Sequence, residues 1–243
     1  VDSEMILAVF PPDRFEITPN PEEADLIIIN TCAVRENAED KVYGEIGALK
    51  RQKTKNPELI IGVGGCMSQE ENSVKTLIEK YRQVDIIFGT HNITSLPELL
   101  YGVVESKTRK IEVFSKMGEV VENVPVSRFG QHKAWVNIMY GCDKFCTYCI
   151  VPYTRGKERS RRYEDVLFEV EQLKNQGFKE ICLLGQNVNA YGKDIYEDYD
   201  FGQLLNDVAK IGIPRVRFMT SHPWDFNDGM IEAIKNNSNI MPY

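Results

Sequence analysis

Apolar residues in this chain come in short continuous runs, and each run is followed by a stretch of helical pattern. Residues 25–30 (DLIIIN), 59–63 (LIIGV) and 84–88 (VDIIF) are runs of strand length. The sequence predicts helices after them, over 34–53, 69–81 and 94–101, the first rich in Glu, Ala, Lys and Leu. Continuous rather than alternating apolar strands belong in a parallel sheet covered on both faces. The rhythm lapses over residues 105–132, which carry mixed charges and the alternating valines of 119–124, and reads as a linker with one short hairpin. It resumes with strands at 134–140, 180–184 and 215–219 and helices at 163–177, 201–211 and 227–236. The expected fold class is α/β, with a parallel-sheet domain over 1–104 and a linker over 105–132. Residues 133–243 are expected to form the first half of a TIM-like (β/α) barrel. Three βα units do not close a barrel, so a longer protein is expected.

Composition agrees: 42% hydrophobic and 27% charged residues suit a soluble globular enzyme with a real core. No run approaches the roughly 18 apolar residues of a membrane helix. The start has neither the basic nor the apolar region of a secretory signal. The expected location is the cytoplasm, where six cysteines stay as thiols or metal ligands. A net charge of −7 argues against a protein that coats polyanions in bulk. Charge is uneven, however. From Arg128 to Arg162 there are eight Lys or Arg against two acids, Asp143 and Glu158. Such a cluster suits phosphate contacts from a bound RNA, with a solvated surface as the plain alternative. Arg155, Lys157, Arg159 and Arg161 are its candidate contacts.

The sharpest chemical signal is Cys-x3-Cys-x2-Cys at Cys142, Cys146 and Cys149, in the loop after a predicted strand. Three thiolates so close on an irregular loop can each reach a different iron of one cubane cluster. The fourth iron is left for a substrate or cofactor, which is the arrangement of the radical S-adenosylmethionine (SAM) enzymes. A structural zinc site needs four ligands, and no fourth Cys or His lies nearby. Cys32 and Cys66 each follow a predicted strand of the first domain, so their thiols can converge on one sheet edge. Two small buried hydrophobes is the other reading. Cys182, inside an apolar strand, reads as core. Gly62, Gly64 and Gly65 hint at a dinucleotide loop, but Met67 occupies the position of its third glycine.

Residues 140–156 (YGCDKFCTYCIVPYTRG) with Ser160 and Arg161, residues 30–38 (NTCAVRENA), 65–69 (GCMSQ), 184–189 (LGQNVN) and 220–223 (TSHP) resemble the radical-SAM methylthiotransferases. Asp143, Lys144 and the 186–189 loop are more similar to the MiaB-type branch, which acts on tRNA, than to the branch acting on a ribosomal protein. The resemblance implies two 4Fe-4S clusters and SAM as cofactors. Cys142, Cys146 and Cys149 would hold the SAM-cleaving cluster, and Cys32 and Cys66 would be two of the three ligands of an auxiliary one. The third would precede Asp2, and a further stretch of barrel and a C-terminal RNA-binding domain are expected. Tyr148 falls in the slot that lies against adenine, with loop packing as its alternative. Gly185, Gln186 and Asn187 fall where the methionine part of SAM is contacted, with a loop turn built from Gly and Asn as the alternative, and Thr220, Ser221 and His222 are weaker candidates of the same kind. The implied reaction is methylthiolation of carbon 2 of isopentenyl-adenosine in the tRNA anticodon stem-loop, with electrons from a flavodoxin or ferredoxin. Methylthiolation of a protein side chain or of another modified adenosine, and a non-enzymatic metal-containing RNA-binding module, are the alternatives.

Overall fold

The computed structural model describes residues 2–31, 36–113, 127–128 and 130–241. They form two compact units, Asp2–Gly118 with Cys146–Arg155, and Glu119–Phe145 with Gly156–Tyr243.

In the first unit the elements are α1 (Asp2–Ala8), β1 (Leu26–Thr31), α2 (Glu36–Lys55), β2 (Ile60–Gly65), α3 (Glu71–Lys80), β3 (Ile86–Phe88), α4 (Leu96–Ser106), β4 (Lys110–Glu112) and α5 (Val151–Thr154). The four strands form a parallel sheet in the order β1-β2-β3-β4. Its strands are continuous apolar runs because both faces are covered. Ile86 and Phe88 face one layer with Ile6, Leu96 and Leu99. Ile87, between them in sequence, faces the other with Ile46, Ile61, Val63 and Leu77. Gly64 is a packing requirement rather than part of a nucleotide loop, since a Cβ there would stand 2.1 Å from the Phe88 ring. Two elements differ from the sequence reading. Residues 110–112, read as linker, add an edge strand whose alternating charge hid it, and seven-residue α1 was too short to show a period. The hairpin expected over 119–124 lies outside the described residues.

The second unit contains β5 (Lys133–Asn137), β6 (Met139–Tyr140), β7 (Arg159–Ser160), α6 (Tyr163–Asn175), β8 (Glu180–Leu184), α7 (Phe201–Ile211), β9 (Arg215–Phe218) and α8 (Asp228–Asn236). Strands β5, β8 and β9 are parallel and adjacent in that order, each βα unit adding the next strand on the same side. Val216 continues the pattern with a parallel bridge to Ile240, giving the opening arc of a barrel. The strand expected over 134–140 divides at Ile138. Its N–H donates to Leu184 in the barrel sheet, while its carbonyl accepts from Arg161 beyond the antiparallel β6–β7 pair. Helix α7 begins with a reciprocal capping box between Asp200 and Gln203 and ends at Gly212, whose φ of 86° only glycine adopts freely. Cys182 is 1% exposed within β8, and burial pushes its thiol up to about 11, as a core residue requires.

Candidate functional site

In the second unit the chain leaves β5, β8 and β9 at the same end of a parallel sheet, where such folds carry their sites, and the cysteine loop follows β6, just after β5. Gly141 opens the cysteine loop at a φ of 77°, and a Cβ there would stand 2.0 Å from the Lys157 carbonyl. Its N–H donates to Gln186 Oε1 at 2.6 Å, and the next N–H, of Cys142, donates to Gly156 at 3.0 Å. Cys142 itself is buried. Two non-glycine residues at positive φ lie in these loops, Phe145 at 46° and Thr220 at 69°. Each holds a conformation costing about 1 kcal/mol or more, the kind of outlier that collects at functional sites. The Thr220 hydroxyl donates to the Gly185 carbonyl at 2.7 Å, joining the β8 and β9 loops. Gly185 packs so closely that a Cβ would meet Met139 at 2.5 Å. Ser221 is exposed, and His222 Nδ1 accepts the Trp224 N–H as the cap of a single turn.

A buried carboxylate, Asp225, stands behind these loops. Its Oδ2 takes Lys144 at 2.7 Å and the Asn187 amide at 2.7 Å, and its Oδ1 takes Lys193 at 2.7 Å. Burial alone would raise its pKa, but the two ammonium groups and the amide outweigh burial and hold it well below the usual carboxylate range. Sequence reading missed Asp225, and counted Lys144 as part of the basic cluster that Asp225 locally neutralises. Asn187 and Asn189 are each 1% exposed, and among the described residues the Oδ1 of each has no hydrogen-bond partner. Buried acceptors without partners are uncommon, and such a pair suits a ligand bearing N–H or O–H groups.

In the first unit Cys146 and Cys149 are half-buried on one turn, with the Cys149 N–H donating to the Cys146 carbonyl at 2.8 Å. Tyr148 is 92% exposed, so it does not serve as loop packing. The segment continues into α5 and Arg155, which lie against the Cys66 turn. Cys66 is buried but belongs to neither apolar layer. Its sulfur accepts from Arg155 Nε at 3.2 Å, and Arg155 also pairs with Asp2 at 2.6 Å. Thr31 pairs with Gly65 at the end of the β1–β2 register, so the residues preceding the two cysteines are neighbours. Cys32 lies outside the described residues.

The basic cluster needs correction. Arg155 and Arg161, grouped with the RNA contacts from sequence, are internal. Arg161 is 7% exposed and bonds the Asn137 carbonyl at 2.8 Å and Glu169 at 2.6 Å. Of the four, Lys157 is exposed and Arg159 half-buried, while the neighbouring Arg162 is exposed.

The donor set fits an iron–sulfur cluster: Cys142, Cys146 and Cys149 lie on one loop and none is in a disulfide among the described residues. Among the described residues no three Cys, His, Asp or Glu side chains surround one metal ion. Ligands of a cubane bind different irons and need not share one centre.

The fold and the cysteine loop define a radical-SAM α/β domain, and comparison with known proteins agrees. Residues 136–241 match the Radical SAM superfamily, and residues 1–89 match Uncharacterized protein family UPF0004. The tRNA-2-methylthio-N(6)-dimethylallyladenosine synthases of Staphylococcus aureus strains JH9 and Newman are 58% identical over 243 residues, all of this chain and 47% of theirs. The chain thus spans about half the length of the relatives it matches. The radical S-adenosylmethionine methyltransferase TsrM from Kitasatospora setae, solved with tryptophan and a SAM analog, shares the fold. Its TM-score is 0.57 at 13% identity, over 88% of this chain and 46% of that one. This chain is thus similar along its whole length to the tRNA-2-methylthio-N(6)-dimethylallyladenosine synthases, and two separate family models match its two parts.

Proposed function

We propose that the protein is a tRNA methylthiotransferase, which attaches a methylthio group to carbon 2 of an isopentenyl-adenosine next to the anticodon. The observation that carries this reading is the Cys142/Cys146/Cys149 loop at the strand ends, in a chain 58% identical throughout to the synthases. The cofactors are two 4Fe-4S clusters and SAM, which when bound supply the carbon radical that activates an aromatic C–H. The three cysteines of the 142–149 loop would hold the first cluster, and Cys32 and Cys66 belong to the second. Residues 1–104 are assigned to sulfur delivery and 133–243 to radical chemistry.

The remaining roles follow from the site. Gly185, Gln186 and Asn187 line the loop that would receive the SAM methionine group, and the Asn187 Oδ1 is the acceptor for its ammonium. Ser221 and Thr220 border that loop. Tyr148, exposed beside Cys149, offers a face for adenine. Anticodon-loop bases are single-stranded and leave their stack at low cost, which lets the substrate carbon approach a buried radical source. Lys157, Arg159 and the neighbouring Arg162 are the phosphate contacts. We infer that the protein works in the cytoplasm with a flavodoxin or ferredoxin as electron donor. Among the described residues no helix is long and apolar enough to cross a membrane.

Incubating the full-length protein with SAM, dithionite and isopentenylated tRNA, then digesting the tRNA for mass spectrometry, tests the proposal. Methylthio-adenosine is the expected product, and its absence alongside active SAM cleavage moves the substrate to another class. Two variants refine the assignment. Lys157→Glu should weaken tRNA binding at low salt and flatten its salt dependence by about one phosphate contact, with uncoupled SAM cleavage unchanged. Cys66→Ala should leave SAM cleavage measurable and stop sulfur transfer. If the methylthio product still forms at the normal rate, Cys66 has no part in delivering sulfur.

A further inference from the structure

We propose that Asp225 is a positioning residue that sets the cysteine loop and the Asn187 amide together; the inference rests on the radical-SAM reading above. Asp225 is 7% exposed, and both its oxygens are engaged. Its partners come from separate places: Lys144 from the cysteine loop, Asn187 and Lys193 from the stretch after β8, while Asp225 itself follows β9. Lys144 stands two residues from both Cys142 and Cys146. One carboxylate thus ties all three strand-end loops.

Stability is a weak reason for such a node, because well-packed apolar residues often stabilise a core as well as a buried ion pair does. What a charged node adds is direction. The Asn187 Nδ2 donates to Asp225 at 2.7 Å and to Glu158 at 3.1 Å. Ionised carboxylates only accept, so the amide cannot flip without facing oxygen with oxygen. Its Oδ1 is thereby held as a buried acceptor with no partner among the described residues. An acceptor left so keeps its desolvation cost until a donor arrives, which favours a ligand N–H or O–H there. Removing the Asp225 carboxylate leaves the amide held only by its longer bond to Glu158 and releases Lys144, so ligand affinity and cluster retention change through residues that Asp225 itself only orients.

The test uses the full-length protein, reconstituted anaerobically with iron and sulfide, as wild type, Asp225→Ala and Asp225→Glu. Each is measured for iron per chain, SAM affinity, unfolding midpoint, and the change SAM causes in the electron paramagnetic resonance spectrum of the reduced protein. Asp225→Ala should need about tenfold more SAM, per loaded cluster, to produce that spectral change, and Asp225→Glu should recover most of the loss. Lys144→Met, which cuts only the tie to the cysteine loop, should speed iron loss to a chelator about threefold, and it decides the matter if Asp225→Ala does not fold. A purely structural role predicts lower midpoints with unchanged SAM affinity per loaded cluster. Wild-type affinity in Asp225→Ala, or a wild-type chelation rate in Lys144→Met where the alanine variant does not fold, overturns the proposal. A wild-type protein that loads no iron, or shows no spectral response to SAM, removes the radical-SAM reading instead.

Discussion

Replacing Cys146 with alanine should reduce SAM cleavage by the full-length protein to background. Each of the three thiolates in the 142–149 loop is expected to hold one iron, and two cannot keep a cubane with a single open iron. The substitution is chemically sharp and structurally mild. Cys146 is half-buried, belongs to none of the apolar clusters, and its backbone carbonyl rather than its side chain receives the Cys149 N–H. Changes away from a packed core usually stay within about 0.5 kcal/mol, so the unfolding midpoint of the apoprotein should barely move. Cys182→Ala is the matched control: it removes a sulfur from the core of β8, and should lower stability while SAM cleavage persists. The readout is 5′-deoxyadenosine after reduction with dithionite. Normal yield from Cys146→Ala would sink the radical-SAM assignment.

That cysteine loop was legible in the sequence because its signal is local, with three cysteines inside eight residues. Strand β8 and helix α7 were legible for a similar reason. β8 is a continuous apolar run and α7 carries a helical pattern with its own caps, and the structure places them at the residues the pattern indicates, Glu180–Leu184 and Phe201–Ile211. The node around Asp225 was not legible. Asn187 lies 38 positions from it and Lys144 lies on another loop, so nothing near Asp225 in the sequence marks it as more than a surface acid. Charge counting failed for the same reason. It treats each Arg as solvated, whereas Arg155 is turned inward by Asp2, more than 150 positions away. Arg161 is taken by Glu169, only eight positions on, but that pairing appears only once β7 and α6 are folded together. Strand β4 was hidden because an edge strand can be polar on both sides, and it forms only when β3 supplies a partner.

The internal place of Arg161 leads to the largest expected change in stability. Glu169, on α6, takes Arg161 Nη1 at 2.6 Å on one carboxylate oxygen and Arg128 on the other. The two guanidinium groups are 8% and 10% exposed, so each depends on protein partners rather than water for its charge. Glu169→Ala leaves both without this counter-charge. Removing one partner of a buried pair costs about 3–5 kcal/mol, because the remaining charge stays desolvated. Glu169 keeps 22% exposure, and water entering there moves the expected loss to the lower end, about 3 kcal/mol. Glu169→Gln keeps an acceptor for one guanidinium, so it should lose less. Urea unfolding of the three proteins measures the order, with the slope unchanged if only the folded state is affected. The bonds Arg161 makes to Glu169 and to the Asn137 carbonyl also brace the chain between β7 and α6, directly after the basic stretch. Loss of RNA affinity in an Arg161 variant should therefore track loss of stability, whereas Lys157→Glu should separate the two. If Glu169→Ala unfolds at the wild-type urea concentration, the ion pair is solvated and Arg161 returns to the candidates for direct phosphate contact.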